Sequence, residues 1–277
     1  MSRDTGASVR IYNLSNELIS LGHDVQLVIP GYERKTMRIS GLTVHVLNGI
    51  FPCRFLKAIS ELIKVLKPTA LFFYDIFFIK RAYPLIRESE IIQVEQPIMS
   101  GLLVPIIAKV FKKPIVVDCH DVFQALRIAN IGYIRKILET IVERVVYKFA
   151  SVILTVSEKE KQFLLSLGID KYKIKVIPNG VDTTVFARSV DYMGIRKRFG
   201  LTDKRVIVFV GNLEYPPNKE AVRLIALKIA PKVIDFVGNA TFLIVGRKNN
   251  IVYPNLSFTG VVNDVISVLL VSDCAIA

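Results

Sequence analysis

Three stretches near the middle of the chain decide its fold: IVVD at 115–118, YIRKILETIVERVVYKF at 133–149 and VILTV at 152–156. The first and third are short β-branched runs, which are typical of strands buried on both faces of a sheet. The stretch between them is predicted to be a helix. A strand, a helix and a second strand in this order predict a βαβ unit, in which the two strands run parallel.

The same alternation extends toward the N-terminus and onward from this unit. Apolar residues fall on one helical face between Ile11 and Leu21, and Gly22 is placed to end that helix. A further helix is predicted at 55–66. The remaining strand-like runs of this part are 25–30, 43–47, 70–74, 91–94 and 174–177. Repeated βαβ units predict a parallel sheet with helices packed on it.

A fresh alternation begins after Asn179-Gly180 and a charged, helical segment at 191–204. Strands are predicted at 206–211, 241–245, 256–259 and 274–277, and helices at 221–236 and 264–270. We therefore predict an α/β fold with two Rossmann-like domains, residues 1–185 and 186–277. The chain opens on a loop with no preceding strand and stops on a strand, so we expect an incomplete second domain and missing material at both ends.

The amino-acid composition and charge limit the kinds of protein that this chain can be. The 277 residues carry 37 Lys and Arg against 24 Asp and Glu, a net charge of +13, and 52% are hydrophobic, which excludes a disordered chain. The positive excess predicts an acidic partner, which can be nucleic acid, an anionic membrane surface or a phosphorylated ligand. The longest stretches without a charged side chain have 15 residues, short of the about 20 that a spanning helix needs. Cys53, Cys119 and Cys274 form no CxxC pair, which fits a reducing cytoplasm.

The first candidate site is the loop Thr5-Gly6-Ala7-Ser8, which precedes the first helix. The free N–H groups and the dipole at a helix N-terminus favour a phosphate. The structural alternative is an ordinary N-cap supplied by Thr5 or Ser8.

The second candidate site follows the strand at 115–118 and contains Asp118, His120 and Asp121. Open α/β sheets bind ligands at the carboxyl ends of their strands. A histidine there can donate to a phosphate or hydroxyl, and a neighbouring carboxylate can fix its tautomer. The structural alternative is a capping Asp beside a satisfied His.

Three more polar groups are ambiguous. Asn179-Gly180 follows a strand and suits a tight turn. Arg247 and Lys248 also follow a strand, where they can neutralise a diphosphate or remain solvated loop charges. The basic run Arg196-Lys197-Arg198 is predicted to be a solvated helix face.

Taken in order, the motifs of this chain match the landmarks of one enzyme family. The matching segments are Gly6-Ala7 with Leu21-Gly22-His23-Asp24-Val25, Cys119-His120-Asp121, Val156-Ser157-Glu158 with Val176-Ile177-Pro178-Asn179-Gly180-Val181-Asp182, Phe209 to Asn218, Leu243 to Gly246, and Phe258 to Asp264. Over nearly its whole length the chain resembles the group 1 glycosyltransferases, which have the GT-B fold.

The resemblance implies transfer of a sugar from a nucleotide sugar to a glycan, lipid-linked or small-molecule acceptor, with retention and without a metal or other cofactor. It implies that the acceptor binds the first domain and that the donor lies mostly on the second, the two sheets facing a cleft. It assigns catalysis to His120 and Asp121. It implies donor binding by Gly6, Ala7, Asn179, Gly180, Gly211 and Asn212, with Lys219 and Arg247 as further donor-binding candidates.

The chain departs from the family pattern at three places. Ala7 stands where the family has a second Gly, and Asn212 stands where many members carry an Arg, so Lys219 and Arg247 are candidates for the missing positive charge. The chain ends at Ala277, before the family's motif of two Glu separated by seven residues. We therefore expect this chain to bind nucleotide sugars weakly or not at all, and the natural sequence at both ends to restore binding.

Two other functions remain open. One is a non-catalytic basic domain that binds an anionic membrane surface or a partner protein. The other is nucleic-acid binding, which only the net charge suggests, because no recognition motif is present. The apolar and basic first domain, together with the lipid-linked acceptors of such families, predicts a cytoplasmic protein peripheral to the inner face of a membrane.

Overall fold

The computed structural model describes residues 6–31, 34–48, 78–95, 103–119, 133–247 and 253–277. The chain divides into two compact units, Met1–Gly180 (unit 1) and Val181–Ala277 (unit 2). The helix expected at 55–66 and the strand expected at 70–74 lie outside the described residues.

Unit 1 alternates strands and helices. Its described strands are β1 (Gln26–Gly31), β2 (Lys35–Ile39), β3 (Leu42–Asn48), β4 (Ile92–Glu95), β5 (Ile115–Cys119), β6 (Val152–Thr155) and β7 (Ile174–Val176). Its described α-helices are α1 (Gly6–Ser20), α2 (78–88), α3 (Leu103–Val110), α4 (Tyr133–Phe149) and α5 (Glu158–Ser166). The βαβ unit expected from the sequence is confirmed, because α4 joins β5 to β6 and these two strands pair in parallel.

The described strands of unit 1 form two sheets. β4, β5, β6 and β7 pair in that order, all parallel, and their apolar residues are deeply buried beneath α2–α5. β1 pairs with β3 in parallel, and β2 pairs with β3 antiparallel. Ser40 and Gly41 join β2 to β3 with φ angles of 48° and 87°. Two successive positive φ angles make the tight turn that suits a two-residue hairpin.

The described strands of unit 2 form a third sheet. Its strands are β8 (Arg205–Val210), β9 (Ala240–Val245), β10 (Leu256–Gly260) and β11 (Cys274–Ala275). The described α-helices of unit 2 are α6 (Tyr192–Arg198), α7 (Pro216–Leu224), α8 (Ala230–Val237) and α9 (Val265–Leu270). The strand order is β10-β9-β8-β11, and every neighbouring pair is parallel. An antiparallel or mixed sheet here would have contradicted the Rossmann-like expectation, which is instead confirmed.

Successive residues of the central strand β9 are apolar because both faces of the strand are buried. Phe242 and Ile244 pack into one core cluster, with residues of α7 and α8. Leu243 and Val245 pack into a second cluster, with Val268 of α9 and Leu201 just beyond α6. Both faces of the sheet are therefore covered by helices, as in doubly wound α/β folds.

Two helices of unit 2 differ from the sequence prediction. The helix expected at 191–204 ends at Arg198, where Gly200 N–H donates to the Lys197 carbonyl and Leu201 N–H to the Arg196 carbonyl. This is the Schellman arrangement that closes a helix. The helix expected at 221–236 is interrupted by a π-helical segment, Ile225–Ile229. Pro231 follows directly, and a proline cannot donate the hydrogen bond that would continue an α-helix.

The expectation that the basic run of α6 is solvated is wrong for Arg196, whose side chain is buried. Its guanidinium donates to the Val271 carbonyl at 2.8 Å, to Tyr192 Oη at 2.7 Å and to the Leu201 carbonyl at 3.3 Å. It also donates to the Lys204 carbonyl. Arg196 therefore connects α6 to the chain segments that provide these acceptors. The hydrogen bonds offset the cost of burying its charged guanidinium.

Among the described residues, no helix has both the length and the apolar character required to cross a bilayer.

Candidate functional site

The carboxyl edge of the β4–β7 sheet carries a cluster of polar side chains. Asp118 near the end of β5 is fully buried, and Glu95 at the end of β4 lies opposite it in the parallel register. Asn179 follows β7 and is exposed. The ends of parallel strands meet at one edge, which is where α/β sheets bind ligands.

Arg10 of α1 connects this edge to the first helix. Its Nε donates to Asp118 Oδ2 at 2.8 Å and its Nη2 to Asp118 Oδ1 at 3.1 Å. Its Nη1 donates to Asn179 Oδ1 at 3.1 Å and to the Pro178 carbonyl at 3.4 Å. The paired side chains are 4% and 0% exposed. This is the two-pronged guanidinium–carboxylate geometry that fixes orientation as well as charge.

Glu95 has a strongly perturbed acidity. Burial raises the pKa of its carboxyl from 4.5 to about 7; the Gln93 amide donates to it at 2.6 Å and lowers that pKa, Asp118 raises it and Arg10 lowers it. A carboxyl that holds its proton near neutral pH can donate or accept a proton at this edge.

The raised pKa predicts a pH-dependent stability that Glu95→Gln removes. The folded chain holds the Glu95 proton more tightly than the unfolded chain, so this stabilisation is complete below pH 4.5 and is lost as pH rises through 7. Wild type should lose about 2 kcal/mol relative to Glu95→Gln between about pH 5 and about pH 8. Urea unfolding at the two pH values measures it. The exposed Glu90→Gln is the control; equal pH slopes for Glu95→Gln and wild type would contradict the assignment.

Cys119 directly precedes the expected catalytic residues His120 and Asp121, but its side chain contacts a residue of α4. Its Sγ is 2.9 Å from Tyr147 Oη, which donates to Glu143 Oε1. Burial raises the pKa of the Cys119 thiol far above its ordinary value. The thiol therefore stays neutral and is unsuited to act as a nucleophile.

The structure locates the expected site residues of unit 1 as follows. Gly6 and Ala7 form the start of α1, one helical turn before Arg10, and Gly6 is exposed with no atom near the position of an added Cβ. Asn179 is linked to Arg10, and Gly180 is exposed. His120 and Asp121 lie outside the described residues. The Arg10 linkage thus brings α1, β5 and the Asn179 turn together.

In unit 2, glycines occupy the carboxyl ends of three adjacent strands. Gly211 N–H donates to the Val245 carbonyl at 2.9 Å, and Gly246 N–H donates to the Gly260 carbonyl at 3.0 Å. Gly246 has a φ of +139°, and a Cβ there would collide with the carbonyl oxygen of Gly211. The ends of β8 and β9 therefore pack backbone against backbone, and the Asn218 and Phe209 side chains lie against Gly211.

The turn after Gly211 is fixed by Asn212. Its Oδ1 accepts from Glu214 N–H at 3.0 Å, and its carbonyl accepts from Asn218 Nδ2 at 3.1 Å. This arrangement leads directly into the N-terminus of α7. Asn212 is exposed and shapes this turn, so its assigned donor contact stays a prediction.

The two candidate cations of unit 2 are exposed. Lys219 lies in the first turn of α7. Arg247 follows β9, and its Nη1 donates to Glu214 Oε2 at 3.2 Å with both side chains more than half exposed. Exposed pairs of this kind are weak, about 1 kcal/mol or less. An arriving anion can therefore replace Glu214 as the partner of Arg247. Within the described residues, no cluster of three or more His, Cys, Asp and Glu could hold a metal ion.

Sequence reasoning missed Arg10 and Glu95. The buried residues of α1 are Arg10 and Ser15, whereas Leu18 and Leu21 of the expected apolar face are exposed. The apolar pattern of α1 therefore did not indicate that Arg10 is buried and paired. Glu95 carried no signal of its own, since its environment arises from the register that places it beside Asp118.

Comparison with known proteins agrees with this architecture. The family model described as Glycosyltransferase Family 4 matches residues 5–185, well over half of the chain. No curated protein sequence matches significantly.

Three solved structures illustrate the shared fold. HepE from Anabaena, in complex with UDP, matches with a TM-score of 0.57 and 16% identity over 84% of this chain and 59% of HepE. The catalytic domain of starch synthase IV from Arabidopsis thaliana, bound to ADP and acarbose, matches with a TM-score of 0.64 and 15% identity over 98% of this chain and 74% of that chain. WaaG, a glycosyltransferase involved in lipopolysaccharide biosynthesis, matches with a TM-score of 0.65 and 12% identity over 99% and 71%.

At these identities the structures establish the fold, and in the UDP complex the chain spans less than two thirds of HepE. The family model matches all of the described strands and helices of unit 1, including α1, the buried edge around Asp118 and the Asn179 turn. Together with the fold, this match shows that the chain belongs to Glycosyltransferase Family 4, with the Rossmann-like architecture of GT-B glycosyltransferases.

Proposed function

We propose that this protein transfers a sugar from a nucleotide-sugar donor to a glycan, lipid-linked or small-molecule acceptor, with retention of anomeric configuration. Its family supports sugar transfer, and similar folds were solved with UDP, UDP-glucose or ADP bound. The observation that carries the proposal is the glycine-lined carboxyl edge of β8, β9 and β10, where Gly211, Gly246 and Gly260 end three adjacent strands without side chains of their own.

In unit 2, the donor diphosphate would bind at this glycine-lined edge. Lys219 on the first turn of α7 and Arg247 after β9 supply positive charge there. The departing nucleoside diphosphate must be stabilised as its bond to the sugar breaks, and fixed cations do this without a metal ion. The proposal therefore includes no metal and no other cofactor.

In unit 1, the family resemblance assigns catalysis to His120 and Asp121, which come directly after β5. The same resemblance assigns Gly6, Ala7, Asn179 and Gly180 to the donor. These roles are supported by the position of the described residues at or near the carboxyl edge of the sheet, where ligands bind in this class of fold.

Donor turnover tests the proposal without knowledge of the acceptor. The chain is incubated with UDP-glucose, ADP-glucose and GDP-mannose, with and without EDTA, and NMR follows the anomer first released. Because donor binding is expected to be weak, the donors are supplied in large excess, and we expect one of them to be cleaved slowly, with retention and with no effect of EDTA. His120→Ala should lower turnover by about 100-fold or more while leaving the unfolding midpoint nearly unchanged. Cleavage equal in the variant, or dependent on a metal, would contradict the assigned mechanism.

We also propose that unit 1 binds the cytoplasmic face of an anionic membrane. Membrane binding is the non-catalytic alternative function for this chain, and it would also bring a transferase close to a lipid-linked acceptor. Ile106 and Val110 of α3 are exposed, and Ile141 on the adjoining α4 is 52% exposed. Lys109 and Lys113 flank this apolar surface. Apolar side chains bordered by lysines suit the boundary between headgroups and acyl chains.

Vesicle sedimentation tests this surface. Vesicles rich in phosphatidylglycerol should bind the chain, vesicles of phosphatidylcholine should bind it much less, and binding should weaken with salt. Lys109→Glu/Lys113→Glu should reduce binding severalfold. The control Lys159→Glu/Lys175→Glu makes the same charge change on exposed positions of unit 1 outside α3. Equal binding to both vesicle types, or an equal loss in the control, would refute the assignment to α3.

A further inference from the structure

Arg10 joins three segments that are far apart in the sequence. Asp118 is 108 residues away and Asn179 is 169 residues away, yet both accept hydrogen bonds from the same guanidinium. Each of these segments carries a residue that the family resemblance assigns to the donor or to catalysis: Gly6 one helical turn before Arg10, His120 two residues after Asp118, and Asn179 itself.

Stability alone is a poor explanation for this buried pair. Taking two charges out of water is costly, and a buried ion pair can often be replaced by apolar residues with no loss of stability. What apolar residues cannot reproduce is direction. The planar guanidinium contacts both oxygens of Asp118 and leaves Nη1 to reach the Asn179 turn, so it fixes the angle between α1 and the strand edge.

The contact also determines what Asn179 can offer to a ligand. An amide side chain has one oxygen that accepts and one nitrogen that donates. Arg10 has only donors, so it contacts the oxygen of Asn179. The group that remains for a ligand is the Nδ2 amine, which suits the oxygens of a phosphate or a sugar hydroxyl.

We propose that Arg10 is a positioning residue for sugar transfer: it holds the first turn of α1, the end of β5 and the Asn179 turn in one arrangement, and directs Asn179 to bind an anionic group of the donor through Nδ2. The proposal rests on the proposed function for its ligand, and on the unliganded chain for its geometry. The two parts are tested separately.

Hydrogen–deuterium exchange of the unliganded chain tests the geometry. Arg10→Lys keeps the charge but loses the two-pronged contact. We expect exchange at residues 10–14 of α1, the first amides with intrahelical partners, and at Ile177, whose N–H donates to the Thr155 carbonyl, to rise by about tenfold or more, with exchange in β8–β10 unchanged. The control Arg38→Lys alters an exposed arginine on β2 and should change neither segment. Unchanged exchange at both segments in Arg10→Lys would overturn the positioning role, whatever the protein's activity.

UDP-glucose affinity, measured by titration, tests the ligand role. Asn179→Asp preserves an oxygen for Arg10 but replaces the amine by a negative charge, so affinity should fall by about tenfold or more at an unchanged unfolding midpoint. Asn13→Asp makes the same change at an exposed position of α1 and should have no effect. Arg10→Met/Asp118→Leu removes both buried charges; it should keep near wild-type stability but not affinity.

These outcomes test the positioning role of Arg10 and the ligand role of Asn179 separately. Wild-type affinity in Asn179→Asp, or recovered affinity in the double variant, would overturn the ligand role and leave Arg10 merely structural. If the wild-type chain binds and cleaves no nucleotide sugar, the proposed function and the ligand role fall together. In that case the exchange result still decides whether Arg10 fixes the geometry.

Discussion

Replacing Gly246 by alanine is expected to destabilise unit 2 by about 3 kcal/mol or more, enough to unfold it at moderate temperature. The φ of +139° at Gly246 is unfavourable for any residue with a Cβ, and the added methyl would meet the backbone carbonyl of Gly211, which cannot move without breaking its strand. Thermal unfolding and hydrogen exchange of β8–β10 measure the loss.

Gly238→Ala is the matched control for this experiment. Gly238 also has a positive φ, 76°, but an added Cβ there meets no atom within 4 Å. Gly238→Ala should lower the free energy of unfolding by only about 1 kcal/mol. Equal losses in the two variants would show that the contact between Gly246 and Gly211 is not tight, and would remove the basis for a backbone-lined donor edge.

Replacing Arg196 by methionine is expected to cost about 3 kcal/mol or more, because it removes the N–H groups that Arg196 donates to the carbonyls of Leu201, Lys204 and Val271, and the cation beside Asp273. Arg198→Met, two residues away and exposed, is the control and should change stability by about 0.5 kcal/mol or less. Urea unfolding measures both. Similar midpoints for the two variants would mean that Arg196 is solvated after all.

The strands could be predicted because burial on both faces requires apolar residues at successive positions, and such runs are visible in the local sequence. Continuous apolar runs such as Phe242 to Val245 exist because each face of β9 packs on different helices. β2 left no such signal: Lys35–Ile39 is partly exposed, and only the Ser40-Gly41 turn marks its hairpin. The break within 225–229 was also missed, although Pro231 shows where the α-helix cannot continue.

The site was predictable in its location but not in its connections. Strand-end logic and family resemblance led to Gly211, Asn179 and the segment after β5. The bonds from Arg10 to Asp118 and Asn179 span more than 100 residues, and Glu95 depends on the pairing of β4 with β5. Such contacts are set by the assembled sheet, so no local pattern encodes them.

Titration of the isotopically labelled chain with UDP, followed by amide NMR, tests the central claim most directly. Even binding near 1 mM, about −4 kcal/mol, gives saturable shifts. The account predicts that these shifts centre on Gly211, Gly246 and Gly260, that uridine alone produces much less, and that Gly211→Ala weakens them. An added Cβ at Gly211 would lie within 3.0 Å of the Asn218 and Phe209 side chains, so the unfolding midpoint of this variant is measured alongside its UDP binding. An absence of saturable shifts, or shifts centred elsewhere, would contradict the assignment of the donor site.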